Sequence, residues 1–255
     1  MTTSEPTAPV DTVAAAVGEV FARVFDQLAA WRTPIEELIA RATIGGEVRP
    51  AELDQAVAEL VIPRLVEPDA LLVGAGFIAD GEIVRGRDVH FAWWLGPLEA
   101  NPVLGSTTEP TRLDLTTRGY TEYLRDFRAL EWYAIPATTR HAHVTGPYVD
   151  HLCTCDYILT LTMPVHARGA GDDGDARMVG VVGADVAVRG LERELLAAFL
   201  DVPEPLALVN EAGRVVLSTE PALQVGQLAA AWAHAEPCPG TPFRVLVEPA
   251  ASVSK

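Results

Sequence analysis

Apolar residues recur at three- and four-residue steps from Val10 through Val13, Val17, Val20, Val24, Leu28 and Trp31, which predicts one apolar stripe along a helix. The spacing is near that of a heptad seam, so two roles stay open: pairing with a second copy of the chain, or packing on its own domain. Thr33-Pro34-Ile35-Glu36 then reads as a new helix start, with Thr33 as cap, Pro34 in the first turn and Glu36 closing a capping box. Ile35, Leu38 and Ile39 form its inward face and Gly45-Gly46 its end. A third helix is predicted from about Pro50 to Leu60, with Leu53, Val57 and Leu60 inward.

At Ala70 the period changes from helix to strand. The run to Ala79, a turn at Asp80-Gly81 and the segment Glu82 to Val84 predict a hairpin. A strand over Val89 to Leu95 puts Phe91 and Trp93 on one face and His90 and Trp94 on the other. Tyr157 to Val165 and Met178 to Val186 read as partner strands, joined by a glycine- and aspartate-rich tip at Gly169 to Asp175. A helix over Leu191 to Leu200 follows, then a hairpin over Pro205 to Leu217 turned at Asn210 to Gly213. A short helix around Leu228 to Ala235 and a last strand at Phe243 to Val247 complete the pattern.

These elements sum to an α+β fold: a PAS-like antiparallel sheet with a long N-terminal helix and flanking helices, plus a truncated second β module. The division expected is a disordered tail at 1–9, a helical segment at 10–62, a ligand-binding domain at 63–203, a small second module at 204–248 and a tail at 249–255.

Composition narrows the partners. A net charge of −16 opposes binding to nucleic acid or to an anionic membrane. It is compatible with a cationic ligand, although a plain solvated acidic surface is the more ordinary reading. The first residues lack the basic start and apolar run of a signal peptide. No run approaches the ~18 apolar residues that span a bilayer. Three cysteines, an odd number, do not make a disulfide framework, so a reducing cytoplasm is expected.

All five tyrosines fall between Tyr120 and Tyr157, with Trp132 among them. Buried tyrosine hydroxyls need partners, so such a concentration points to a polar-lined pocket. Tyr148 and Asp150 are two apart and share a side in extended backbone. Asp185 follows Val181, Val182, Gly183 and Ala184, apolar company in which a carboxylate is costly unless paired. A bound ammonium is one such partner; backbone amides or the following helix start are the other. Aromatic faces attract a cation by about 0.5–2 kcal/mol each, and a carboxylate bond fixes its direction.

Trp132-Tyr133, Pro147-Tyr148-Val149-Asp150, the strand to Pro164-Val165 and Gly180 to Asp185 together resemble the Cache (PDC-type, double-Cache-like) sensor domain, as does the later Val209 to Val216 piece. The resemblance covers roughly residues 70–220. It implies small-molecule sensing without catalysis or cofactor, in signal transduction, with the long N-terminal helix used in a homodimer. By that resemblance Trp132, Tyr133 and Tyr148 wall the pocket while Asp150 and Asp185 hold a ligand amine. Amino-acid sensors of the group carry an arginine two residues before the Trp-Tyr pair, where this chain has Leu130. A tyrosine five residues earlier is here Arg125. Both departures cut against an α-amino-acid ligand and favour an amine without a carboxylate, unless Arg125 or Arg128 reaches in. Double-Cache proteins usually span the membrane and end in a signalling module; with neither in view, the signal is expected to pass to a separate partner.

Three rivals remain. His141, His143, His151, Cys153 and Cys155 offer metal ligands, and on a strand His151, Cys153 and Cys155 share a face, although Cys-x-Cys is not the usual knuckle spacing. A hydrolase lacks a Gly-x-Ser-x-Gly elbow. The last rival is a dimeric scaffold with a degenerate pocket. The reading adopted is a cytoplasmic, non-catalytic sensor of a small cationic amine, dimeric through its N-terminal helix, with an amino acid or another small molecule as the alternative ligand.

Overall fold

Val13, Val17, Val20, Val24, Leu28 and Trp31 are all buried against the chain's own core. The computed structural model describes residues 10–101, 105–113, 126–151, 154–167, 176–229 and 234–247. That apolar stripe belongs to helix α1 (Val10–Gly45), which runs unbroken through Pro34. The separate helix start expected at Thr33 is therefore not formed: the Thr33 hydroxyl bonds back to the Ala29 carbonyl at 3.4 Å. Leu28, Trp31, Ile35, Leu38 and Ile39 keep one face, and their continuous burial outweighs the single backbone bond that Pro34 cannot donate. With the stripe covered by the chain itself, it is not the free seam that self-pairing through it requires.

Helix α2 (Pro50–Leu65) extends one turn beyond the expected end and buries Leu53, Val57, Val61 and Leu65. Strand β1 (Leu72–Val84) pairs with β2 (Arg87–Leu95). The turn expected at Asp80-Gly81 is a bulge instead, and the chain reverses at Arg85-Gly86. Val48 holds the strand on its course past Gly81, its N–H donating to Ile83 and its carbonyl accepting from Arg85. β3 (Leu98–Asn101) and β4 (Gly105–Thr107) form a small ribbon, and β5 (Thr111–Arg112) lies beside β2.

Helix α3 (Glu131–Thr139) precedes β6 (His143–Val149), β7 (Tyr157–Ala167) and β8 (Arg177–Ala187). The tip expected between β7 and β8 lies outside the described residues. The main sheet runs β5-β2-β1-β8-β7-β6, antiparallel throughout, as expected for a PAS-like α+β plan. Its Trp94, Ala75, Ala184, Leu161 and Val144 side belongs to the core that includes α1 and α2.

Helix α4 (Val188–Leu200) leads to a second sheet built from β9 (Leu206–Val209), β10 (Val215–Ser218), β11 (His234–Pro237) and β12 (Arg244–Val247), in the order β10-β9-β12-β11. The described residues of the helix expected around Leu228 to Ala235 are not helical. Leu228 bridges to Arg214, and His234 and Ala235 pair with Val247 and Leu246. An open edge of β12 supplies backbone partners that a short isolated helix lacks. Phe21 of α1 meets Phe243 with ring centroids 4.8 Å apart, joining the second sheet to the main helix.

Candidate functional site

The other face of the main sheet is polar in its middle. Register aligns Thr145, Thr160, Asp185 and Gly74 across β6, β7, β8 and β1, and beside them His143, Thr162, Gly183 and Gly76. Paired residues project to the same side, so the first row carries two hydroxyls and a carboxylate with no side chain at its end. Trp93 fills part of the space above the glycines. A Cβ on Gly74 would lie 3.0 Å from its Nε1, and one on Gly183 would lie 3.3 Å from its Cη2. The same Gly74 position is 3.0 Å from Asp185 Oδ2, so the indole edge and the carboxylate converge there.

Asp185 accepts a hydrogen bond from the Thr160 hydroxyl at 2.6 Å. Thr160 in turn is 2.5 Å from the Tyr148 hydroxyl, which then donates to it. Burial pushes the Asp185 carboxyl up to about 7, the Thr160 bond opposes that shift and the Asp150 charge adds to it. The residue as a whole is only half-buried, but desolvation of its carboxylate dominates. Among the described residues no basic side chain pairs with it. The alternative of backbone amides or a helix cap as its partner is not what the structure shows; its bond is to a side-chain hydroxyl.

Asp150 stands at the end of β6 and builds the turn into β7. Its carboxylate accepts from the Thr154 N–H at 3.1 Å and the Thr154 hydroxyl at 3.3 Å. It therefore acts on Asp185 through charge while serving the turn. Tyr148 reaches toward Thr160 because the register slips between Thr145 and Tyr148. Gly146 sits in that slip at φ +119, where an added Cβ would be 2.8 Å from the Ile158 carbonyl, so only glycine fits.

Trp132 and Tyr133 sit in the first turn of α3 and diverge. Trp132 is fixed by its carbonyl, which accepts from Thr162 at 2.7 Å. Tyr133 packs edge-on against Phe127, 4.9 Å between centroids, and its hydroxyl donates to Asp80. Arg128 bonds both oxygens of Asp80 and reaches Asp88 at 2.9 Å. Burial works to raise the Asp80 carboxyl, but the Arg128 and Tyr133 bonds outweigh it and hold it below its ordinary value. Arg128 is thus committed to the β1 bulge and lies over the Phe127 ring at 5.0 Å. Arg125 lies outside the described residues.

A cleft of about 550 Å³ opens between this face and the second sheet. Leu130, Glu131 and Trp132 line it from α3 and the residue before it, and Thr145, Pro147, Tyr148 and Val149 from β6. His151, Tyr157, Arg214 and Gly226 complete it. Of the residues singled out from sequence, Trp132 and Tyr148 border the cleft, Asp185 is tied to it through Thr160, Asp150 adds charge, and Tyr133 faces the β1 bulge. Nothing in the sequence marks Thr145, Thr160, Trp93 or Arg214 as site residues. Gly74-Ala75-Gly76 in a strand was the one signal of a close approach on that face.

The metal arrangement fares differently. His151 and Cys155 lie in turn backbone, Cys155 at φ 52, so they are not on one strand face; Cys153 lies outside the described residues. Among the described residues no group of three His, Cys, Asp or Glu is placed to hold a metal ion. Among them, too, no helix is long and apolar enough to cross a membrane.

The sequence matches no protein-family model and no curated protein sequence. The fold itself is that of the Cache-type sensor domains. A structure described as methyl-accepting chemotaxis protein X is similar at a TM-score of 0.60 and 16% identity, over 93% of this chain and 94% of that one. The ligand-binding domain of the Pseudomonas aeruginosa PAO1 amino-acid chemoreceptor PctC, in complex with GABA, is similar at 0.55 and 17%, over 94% and 97%. The periplasmic sensory domain of the Campylobacter jejuni chemoreceptor Tlp1 is similar at 0.53 and 10%, over 84% and 71%.

Proposed function

We propose that this chain is a non-catalytic ligand-binding sensor domain that recognises a small cationic amine. The observation that carries the reading is Asp185, a desolvated carboxylate whose bond among the described residues is to a neutral hydroxyl. An ammonium placed beside it supplies the missing positive charge, which favours the ionised carboxylate and strengthens both partners. Trp132 and Tyr148 form aromatic walls for that cation, and Asp150 adds a second negative charge to the field. Tyr133 acts from behind, holding α3 to Asp80. Chemoreceptor domains of this fold, one of them solved with GABA, support sensing as the role. A signalling partner receives the output.

The test is a thermal-shift and calorimetric screen of primary amines, diamines and amino acids against the intact chain. An amine is expected to stabilise it, and Asp185→Asn to abolish that stabilisation. If no amine binds, or the Asp185→Asn protein binds as before, the reading is wrong.

A further inference from the structure

Thr145 is 8% exposed, borders the cleft, and its hydroxyl oxygen is buried without a hydrogen-bond partner among the described residues. Native structures rarely leave such an atom orphaned, because its lost hydration is not replaced. Thr145 stands in register with Thr160, whose neighbour across the next strand pair is Asp185. Two strand spacings, roughly 10 Å, therefore separate the Thr145 and Asp185 backbones. A group bound at Thr145 is a different part of a ligand from the group bound at Asp185.

The second sheet brings a cation to the same place. Arg214 borders the cleft, and its one side-chain bond among the described residues runs from Nη1 to the Gly226 carbonyl at 2.9 Å. A guanidinium has five N–H donors, so most of its fork remains for a ligand. Asn210 locks its position: the Asn210 side chain donates to the Gly146 carbonyl at 2.7 Å and accepts from the Arg214 N–H at 2.8 Å. Gly146 directly follows Thr145, so the β9–β10 turn is pinned beside the orphaned hydroxyl. Glu131, exposed at the cleft's α3 side, acts electrostatically on His143, and Tyr148, His151 and Tyr157 are the other titratable groups beside Arg214 in the lining.

A hydroxyl and a guanidinium together suit a carboxylate, which accepts from both. We propose that the Thr145 and Arg214 side of the cleft takes the carboxylate of a ligand whose ammonium sits at Asp185, so that the preferred ligands are amino acids with the two groups well separated. An α-amino acid carries both groups on one carbon and does not reach the two ends of the row. The inference rests on the amine reading above and adds the second contact and the spacing. It also makes the β9–β10 turn of the second sheet part of the binding site, because Arg214 lies in that turn.

The experiment is isothermal calorimetry on the full chain with four five-carbon probes: 5-aminopentanoate, its isomer 2-aminopentanoate, pentylamine and pentanoate. We expect 5-aminopentanoate to bind roughly tenfold or more tightly than pentylamine, and more tightly than its isomer. Thr145→Val and Arg214→Gln, each checked for an unchanged unfolding midpoint, are expected to bring the 5-aminopentanoate to pentylamine ratio close to one. The inference is overturned, with the amine reading intact, if pentylamine binds as tightly as 5-aminopentanoate or if both variants keep the full ratio. If neither amine binds, the amine reading fails and this inference fails with it.

Discussion

Thr160 donates a 2.6 Å hydrogen bond to Asp185 across the β7–β8 pair, and it is the link between that carboxylate and the cleft wall at Tyr148. The register Thr160↔Asp185 places the two side chains on one face, so the bond is a property of the sheet and does not wait for a ligand. It leaves the carboxylate hydrogen-bonded but short of counter-charge.

The first consequence is a pH dependence of stability. The folded carboxyl titrates at about 7, against about 3.9 in an unfolded chain. Between those values the folded state holds a proton that the unfolded state has released, so stability falls as pH rises. The loss begins near pH 4 and is complete above about 7. Asp185→Asn removes it and still accepts from Thr160. Urea unfolding is expected to show the variant more stable than the parent at pH 8 by roughly 2–4 kcal/mol, with little difference at pH 4. Equal stability at pH 8 would mean that the carboxylate is not penalised by burial.

Binding has the opposite dependence. An ammonium is attracted to the ionised carboxylate, so amine affinity is expected to rise through about pH 7 and level off above it. Thr160→Val removes the bond that favours the charged form, and Asp185 then titrates higher still. Calorimetry of pentylamine against pH should place the variant's midpoint above the parent's. A midpoint that stays in place would detach Thr160 from the site.

These contacts divide into those legible in the sequence and those that were not. Asp185 stood out because a carboxylate interrupts an apolar strand, and Trp132 and Tyr148 because aromatic residues were concentrated near them. Thr160 was hidden by its type: in Leu-Thr-Leu-Thr it reads as ordinary β-branched strand filling, and only the register across β7 and β8 turns it toward Asp185. Asp80 departs from its sequence signal for a related reason. Asp-Gly is a strong turn signal, but Val48 offered the chain backbone partners beyond it, which made a bulge the better solution. Pro34 likewise carries the signature of a helix start, but one unbroken apolar face carries α1 through it. Arg214 lies 29 residues beyond Asp185 in the chain, and only the docking of two sheets brings it to the cleft.

Tyr133 and Trp132, adjacent in sequence, should separate cleanly on mutation. Tyr133→Phe removes the hydroxyl from Asp80 but keeps the ring beside Phe127. It is expected to cost about 1–2 kcal/mol in urea unfolding, with amine affinity changed by less than about twofold. Trp132→Ala takes away a cleft wall and should weaken an amine by roughly tenfold or more. If Tyr133→Phe instead abolished binding with stability intact, Tyr133 would belong in the pocket and not behind it.

Gly74 and Gly76 give the sharpest separation of fold from site. A Cβ on Gly76 would fall 2.2 Å from the Ala92 carbonyl oxygen and 2.7 Å from Trp93 Cα, both backbone atoms of the paired strand. Backbone in a ladder cannot give way by so much, so Gly76→Ala should cost roughly 3 kcal/mol or more and lower soluble yield. A Cβ on Gly74 meets the Asp185 carboxylate and the Trp93 indole nitrogen at 3.0 Å, and Leu95 Cδ2 at 3.4 Å. Those are side-chain ends that shift by a few tenths of an ångström at modest cost. Gly74→Ala is therefore expected to fold, with an unfolding midpoint near the parent's, while its methyl group crowds Asp185 and weakens pentylamine binding by roughly tenfold. Unchanged affinity in a folded Gly74→Ala protein would move the ammonium site away from Asp185.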